Sequence, residues 1–295
     1  MNPWPDIGAA IAAATSQAFS VAAHHAVGGG CINHAYRVED GGRRYFVKLN
    51  DAAMTEMFAA EAEALQALQA AGAVRVPAPV CWGTAGGAAY LVLEYLELGR
   101  DGTSSAERLG MQLAQLHRHT RQYYGWHRDN TIGSTPQINT ADHDWLHFWR
   151  ERRLGYQLSL AASRGYGGAL QRKGEQLLSS LGQVLADHSP PPSLLHGDLW
   201  SGNYATLSDG QPVIFDPASY YGDRETDLAM TELFGGFAAP FYDAYREAWP
   251  LDPGYPVRRT LYNLYHILNH FNLFGGGYAS QAQRMTEQLL AELAA

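Results

Sequence analysis

The stretch "LLHGDLWSGN", residues 194–203, sets His196, Asp198 and Asn203 at fixed spacing behind an apolar, strand-like run. Thirteen residues after Asn203, a second apolar run, "PVIFDPAS" (212–219), ends on Asp216. The two runs are expected to pair as a hairpin, whose tip and end would aim a base and two oxygen ligands at one spot. Asp and Asn also cap ordinary turns. An acid, an amide and a second acid recurring in that order, each behind the right kind of element, favour chemistry over a pair of turns.

The spacing H-x-D-L-x-x-x-N is that of a kinase catalytic loop. In such a loop the aspartate accepts the proton of the attacking hydroxyl and the asparagine binds a metal ion. Asp198 is therefore the candidate base, and Asn203 and Asp216 the candidate metal ligands. Mg2+ prefers oxygen donors and keeps several waters, so one amide and one carboxylate suffice beside phosphate oxygens.

A phosphoryl-transfer site also needs a cation on the phosphates. The chain is arginine-rich and holds only two lysines, Lys48 and Lys173. Lys48 lies inside an apolar strand-like run, "RYFVKLN" (44–50), where it shares a face with Phe46. An edge-strand lysine would point to water; a lysine held inside acts as a compact point charge. Its partner is expected on the helix over 52–72. Glu61 falls on the same face as Met54, Phe58, Leu65 and Leu68, where a carboxylate is costly without a nearby cation. Glu56 and Glu63 fall off that face.

"GGGCINHAY" (28–36) precedes that strand. It is expected to be a loop whose backbone N–H groups cover phosphates, with Gly28, Gly29, Gly30, Cys31 and Ile32 as nucleotide contacts. Cys31 is also a candidate redox-sensitive thiol at the loop tip, whereas Cys81 reads as a small buried hydrophobe. No G-x-x-x-x-G-K-[ST] occurs, which excludes a P-loop nucleotidase. "YLVLEYLEL" (90–98) reads as a strand leading into a hinge, with backbone groups at Glu94, Tyr95 and Leu96 positioned for an adenine.

Outward from these motifs, the first hundred residues are rich in strand and turn signals, and helical patterns dominate from about 104 onward. Expected helices cover 7–19, 52–72, 104–121, 142–161, 165–187, 226–234, 238–248, 256–273 and 278–294. The fold class is α+β, divided as 1–97 and 98–295. Net charge is −8 with 17% charged residues and no basic stripe, so nucleic acid is not an expected partner. No run of about 18 apolar residues suggests a membrane span, the N-terminus lacks a signal-peptide pattern, and two cysteines make no disulfide framework. A cytoplasmic protein follows from these features.

Taken together these residues resemble the fructosamine-3-kinases, or ketosamine-3-kinases, of the aminoglycoside-phosphotransferase branch of the protein-kinase-like fold. The resemblance extends to "NTIGSTPQIN" (130–139), "DWLHFWRERRLGYQL" (144–158) and "DPASYYGDRETDLAM" (216–230), and so spans most of the chain. It implies a two-lobe fold: a small antiparallel-sheet N-lobe with one main helix, and a larger, mostly helical C-lobe. It implies ATP and Mg2+, and transfer of the γ-phosphate to the O3 hydroxyl of a ketosamine, free or on a glycated protein lysine. By the same resemblance Lys48 and Glu61 form the ion pair, Asp198 is the base, His196 braces its loop and Asp227 is a structural acid that fixes it. His127 departs from the family pattern, where an acidic residue is expected after the tryptophan. Trp200 is expected to stack on the sugar, and His266, Asn269 and His270 to line the same pocket or to be satisfied polar residues of a buried helix. A monomer or homodimer is expected. Kinases of aminoglycosides, choline or homoserine are the alternative on the same fold.

Overall fold

In the computed structural model, residues 2–28 and 32–294 are described. Contacts divide the chain into two compact units: residues up to Ser105 together with Tyr204–Pro217, and Ala106–Asn203 together with residues from Ala218 onward. The contiguous division at 97/98 thus differs in two respects: the first break falls after Ser105, and the chain returns to the first unit once more. The segment that follows the catalytic loop belongs with the strand-rich unit, although it lies deep in the helical part of the sequence.

The first unit opens with α1 (Trp4–Thr15), then β1 (Ala23–Val27), β2 (His34–Glu39) and β3 (Arg44–Asp51). A short 3-10 turn over Ala52–Met54 leads into α2 (Thr55–Ala71), which is followed by β4 (Pro79–Ala85) and β5 (Ala88–Glu94). The five strands form one antiparallel sheet in the order β1-β2-β3-β5-β4. Period-2 alternation decides what each strand buries. Val38, Val47 and Val92 face α1, joining Ile7, Ile11, Phe19 and Tyr90 in one apolar cluster. Alanine- and leucine-rich α2 packs on β4 and β5 and stops at Gly72, whose φ of 65° is the left-handed cap that glycine adopts without strain. The run at 212–214 pairs not with the strand ahead of the catalytic loop, as expected, but with the strand just after it: a two-stranded hairpin, β9 (Tyr204–Thr206) with β10 (Pro212–Ile214), completes the unit. It is tied in by Ile214 N–H to the Arg75 carbonyl at 3.0 Å and by Gly99 N–H to the Thr206 carbonyl at 2.7 Å.

The second unit takes up the chain within α3 (Thr103–Leu116). A small hairpin, β6 (Asn130–Ile132) with β7 (Thr135–Gln137), turns at Gly133 with φ of 63°. The helix expected over 142–161 is instead a composite: α4 (Trp145–Phe148), a π-helical turn at Trp149–Leu154, and α5 (Gly155–Ser163). Asp144 caps its start by accepting the His147 N–H, and Gly155 sits where an added Cβ would lie 2.5 Å from the Arg150 carbonyl. α6 (Ala169–Val184) follows; β8 (Ser193–Leu194) and β11 (Tyr221–Gly222) pair antiparallel on either side of the first unit's hairpin in sequence. α7 (Glu225–Leu233), α8 (Ala239–Ala248), α9 (Tyr255–Phe274) and α10 (Tyr278–Glu292) complete the chain. α9 is the central helix, with Leu261, Tyr262, Leu264, Tyr265, Ile267 and Leu268 all buried. The π turn brings Arg153 into this core. Its guanidinium donates to the Ile138 carbonyl and to Asn139 Oδ1 and lies 4.0 Å from the centre of the Tyr220 ring. No helix of the described residues is long and apolar enough to cross a membrane.

Candidate active site

In the strand-rich unit, pleating puts Val47 into the apolar cluster and turns Lys48 to the opposite face of the sheet. Lys48 is 4% exposed, and its Nζ donates to Glu61 Oε1 at 2.5 Å and to Asp216 Oδ1 at 2.6 Å. Burial alone would lower the ammonium's pKa, but the Asp216 and Glu61 carboxylates outweigh it and hold the pKa above its ordinary value. Burial pushes the Glu61 carboxyl upward, and Asp216 adds to that push against the opposing pull of Lys48. Two carboxylates thus share one ammonium, and the cluster is one positive charge short of balance.

Asp216 is the less enclosed of the two acids, with its side chain 44% exposed against 10% for Glu61. It lies two residues beyond β10 at φ of 59°; Ser16 is the other non-glycine residue with positive φ among the described residues. Aspartate tolerates the left-handed region better than most side chains, at a cost of order 1 kcal/mol. That conformation turns the carboxylate onto Lys48, a pairing that spacing along the chain does not reveal.

The flanking nucleotide contacts are mixed. Gly28 lies just past β1 and is exposed, and the Ile32 carbonyl accepts from Asn50 Nδ2 at 3.1 Å. Gly29, Gly30 and Cys31 lie outside the described residues. Cys81 in β4 is part-buried, and burial pushes its thiol up to about 11, which makes it a poor nucleophile at neutral pH. At Glu94 the backbone N–H and the side chain are already engaged. Glu94 is still the last residue of β5, its N–H is taken by the Ala78 carbonyl at 2.9 Å, and its carboxylate binds Arg75 and the Ala78 N–H. Tyr95 and Leu96 follow the strand.

In the helical unit, Asp198 and Asn203 come together directly. Asn203 Nδ2 donates to the Asp198 carbonyl at 2.9 Å and to Asp198 Oδ2 at 3.2 Å, so the amide holds the carboxylate. With its amide hydrogens so engaged, the Asn203 carbonyl oxygen is the atom suited to a cation. His196 is fully buried, and its Nδ1 accepts the Asp198 N–H at 3.2 Å. Gly197 takes φ of 86°, and a Cβ there would lie 2.1 Å from the Ala218 carbonyl, so only glycine fits this turn.

Beneath the loop, Asp227 accepts the His196 N–H at 2.7 Å on one oxygen and the Gly197 N–H at 2.8 Å on the other. His117 adds an Nε2 contact at 3.2 Å, and its Nδ1 lies 2.8 Å from the Tyr245 hydroxyl. Burial works to raise the Asp227 carboxyl, but the hydrogen bonds it accepts from His117 and from the loop backbone hold it below the usual range. Burial lowers the His117 imidazole, which keeps the ring neutral. His117 and Tyr245 are the supporting residues that sequence reasoning missed. A lone histidine at the end of an amphipathic helix carries no spacing signal.

Trp200, two residues past Asp198, is 38% exposed, and its ring meets Phe234 edge-on at 6.3 Å. His266 and Asn269 are buried in α9, and Asn269 bonds Gln157 and the Ile132 carbonyl. His270 is part-buried and packs on Phe234. His127 stacks obliquely beside Trp126 at 5.1 Å.

Three comparisons bear on this arrangement. The family model described as fructosamine kinase matches residues 3–292. A protein of Synechocystis sp. provisionally named ketoamine kinase is 52% identical over 98% of this chain and 97% of its own length. A chloroplastic protein-ribulosamine 3-kinase of Arabidopsis thaliana is 43% identical over 91% of this chain and 83% of its own. Among solved structures, a Haemophilus somnus protein provisionally named fructosamine-3-kinase superposes with a TM-score of 0.91 at 30% identity, covering 98% of each chain.

Proposed function

The chain belongs to the fructosamine kinase family, and from that premise we propose that it transfers the γ-phosphoryl group of ATP to the O3 hydroxyl of the sugar in a ketosamine. It is a phosphotransferase of the protein-kinase-like fold acting on a sugar hydroxyl. The observation that carries the reading is the cluster of two carboxylates on Lys48, with Asp216 part-exposed. Its surplus negative charge and all-oxygen donor set suit Mg2+, with Asp216 and Asn203 as the protein ligands. When bound, the ion neutralises charge on the phosphates.

The chain's own residues do the rest. Lys48, kept cationic by Glu61, takes the nucleotide's phosphate charge. Asp198, oriented by Asn203, accepts the O3 proton as the sugar oxygen bonds to phosphorus and the bond to the ADP oxygen breaks. Little covalent chemistry is asked of the protein, so rate comes from position and charge. Trp200 offers an exposed ring to the apolar face of the sugar. Phosphate on C3 is a better leaving group than hydroxide. After enolisation toward C1 it is lost, and hydrolysis of the resulting imine frees the amine.

A panel of acceptors tests this. Ribulose, fructose and erythrulose adducts of lysine, an aminoglycoside, choline and homoserine are each assayed for ADP release with Mg-ATP. Turnover confined to the adducts is expected; turnover confined to the other acceptors would refute the assignment.

A further inference from the structure

Aromatic rings form a connected strip that starts at the catalytic loop. Trp200 meets Phe234 at 6.3 Å between centroids, Phe234 meets His270 at 4.7 Å, and His270 meets Phe274 at 5.7 Å and Tyr278 at 5.2 Å. Its two ends are open to solvent, with Trp200 38% and Phe274 54% exposed. Single exposed hydrophobic residues are ordinary. A contiguous run of rings beginning two residues from the candidate base is not scattered exposure.

The backbone beside the rings is bare as well. A Phe-Gly-Gly run marks the C-terminal end of both α7 and α9: Phe234-Gly235-Gly236 just past α7, and Phe274-Gly275-Gly276 from the last residue of α9, with Gly277 following the second. A Cβ placed on Gly235, Gly276 or Gly277 would meet nothing within 4 Å. No side chain of these glycines covers the phenylalanines, and an extended chain has room to lie against them. The strip is also uncharged: burial lowers the His270 imidazole, so the ring is neutral at pH 7.

Resting on the function proposed above, we infer that this strip binds the peptide that carries the ketosamine and seats an apolar or aromatic side chain near the modified lysine on Phe274. The sugar reaches no farther than Trp200. The three ring-to-ring steps beyond it span at most about five residues of extended chain. Peptides with an apolar neighbour within that reach are therefore favoured over those without one.

The experiment compares three ribulosamine substrates: the Nα-acetyllysine adduct, and the same adduct within a nonapeptide bearing either leucine or glycine three residues on. Values of kcat/KM come from ADP release, for wild type and Phe274→Ser. Wild type is expected to prefer the leucine peptide over the glycine peptide by about tenfold, and F274S to bring that ratio near unity. Phe274 is exposed, so folding is not at risk in the variant. Wild type that phosphorylates the short adduct without discriminating between the peptides overturns the strip alone. So does a preference that persists in F274S, or a change in oligomeric state of F274S by light scattering, which would make the strip a contact between copies. Wild type that phosphorylates no ketosamine overturns the function and this inference together.

Discussion

Asp216 and Asp227 are the same side chain put to opposite uses. Asp227 is 1% exposed and takes N–H groups from His196, Gly197 and His117, so both its oxygens are engaged. Asp216 is part-exposed, sits in a left-handed backbone, and shares Lys48 with a second carboxylate. The first is a closed site in which charge is matched by neutral donors. The second is an open site left short of positive charge. On the proposed roles, Asp227 holds structure and Asp216 binds a ligand, so the two should respond oppositely to neutralisation.

The largest contrast is expected from Asp216→Asn. Removing one of two crowded carboxylates should leave thermal stability equal to wild type or slightly higher, while kcat/KM for Mg-ATP falls about a thousandfold. A variant that lost stability and kept activity would make Asp216 structural and erase the comparison. Asp227→Asn should do the reverse first. One oxygen becomes an NH2 facing backbone N–H donors, costing about 3 kcal/mol in urea unfolding. An unaltered unfolding midpoint would show that the loop does not depend on this acid.

Lys48→Arg sharpens the picture of the open site. The guanidinium keeps the charge, but its planar fork does not fit where one ammonium lies within 2.6 Å of both acids. Turnover should fall about a hundredfold, nearly as far as in Lys48→Ala. Near-normal activity of the arginine variant would mean that a diffuse charge suffices.

The smallest effect concerns pH. His266 is 4% exposed, its Nδ1 has no hydrogen-bond partner among the described residues, and burial, with His270 second, pushes the imidazole down to about 3. Folded His266 stays neutral while the unfolded chain binds a proton below about 6.5, so stability present above that pH drains away as pH falls toward the folded value. Between pH 7 and 5 this amounts to about 2 kcal/mol. His266→Gln should flatten the unfolding free energy over that range by about that amount, and an unchanged slope would place the acid sensitivity elsewhere.

Much of this was legible in the sequence because it follows from local pattern. Strand alternation and the apolar face of α2 singled out Lys48 and Glu61, and the structure puts them 2.5 Å apart. The spacing of Asp198 and Asn203 foretold that they meet, because five residues of loop allow it. What was not legible depends on the chain returning to itself. The 204–217 hairpin belongs to the strand-rich unit through ladder bonds to Arg75 and to residues 97–99, contacts with no sequence signature. The Asp216–Lys48 pair needs a positive φ that composition does not announce. The π turn within the 142–161 helix accompanies Arg153 contacts to Ile138, Asn139 and Tyr220 that helical periodicity does not reveal, and the three-residue strands of the 130–137 hairpin are too short to alternate visibly.

The most direct test of the central claim is the position of the transferred phosphate. The ribulosamine of Nα-acetyllysine, labelled with 13C at C3, is incubated with Mg-ATP and followed by carbon and phosphorus NMR, with wild type and Asp198→Asn side by side. The account predicts a phosphate coupled to the labelled C3 with wild type, followed by release of free Nα-acetyllysine. Asp198→Asn should form at least a hundredfold less product while binding ATP as tightly as wild type. Phosphate on another carbon, or wild-type turnover by the Asp198 variant, would contradict it.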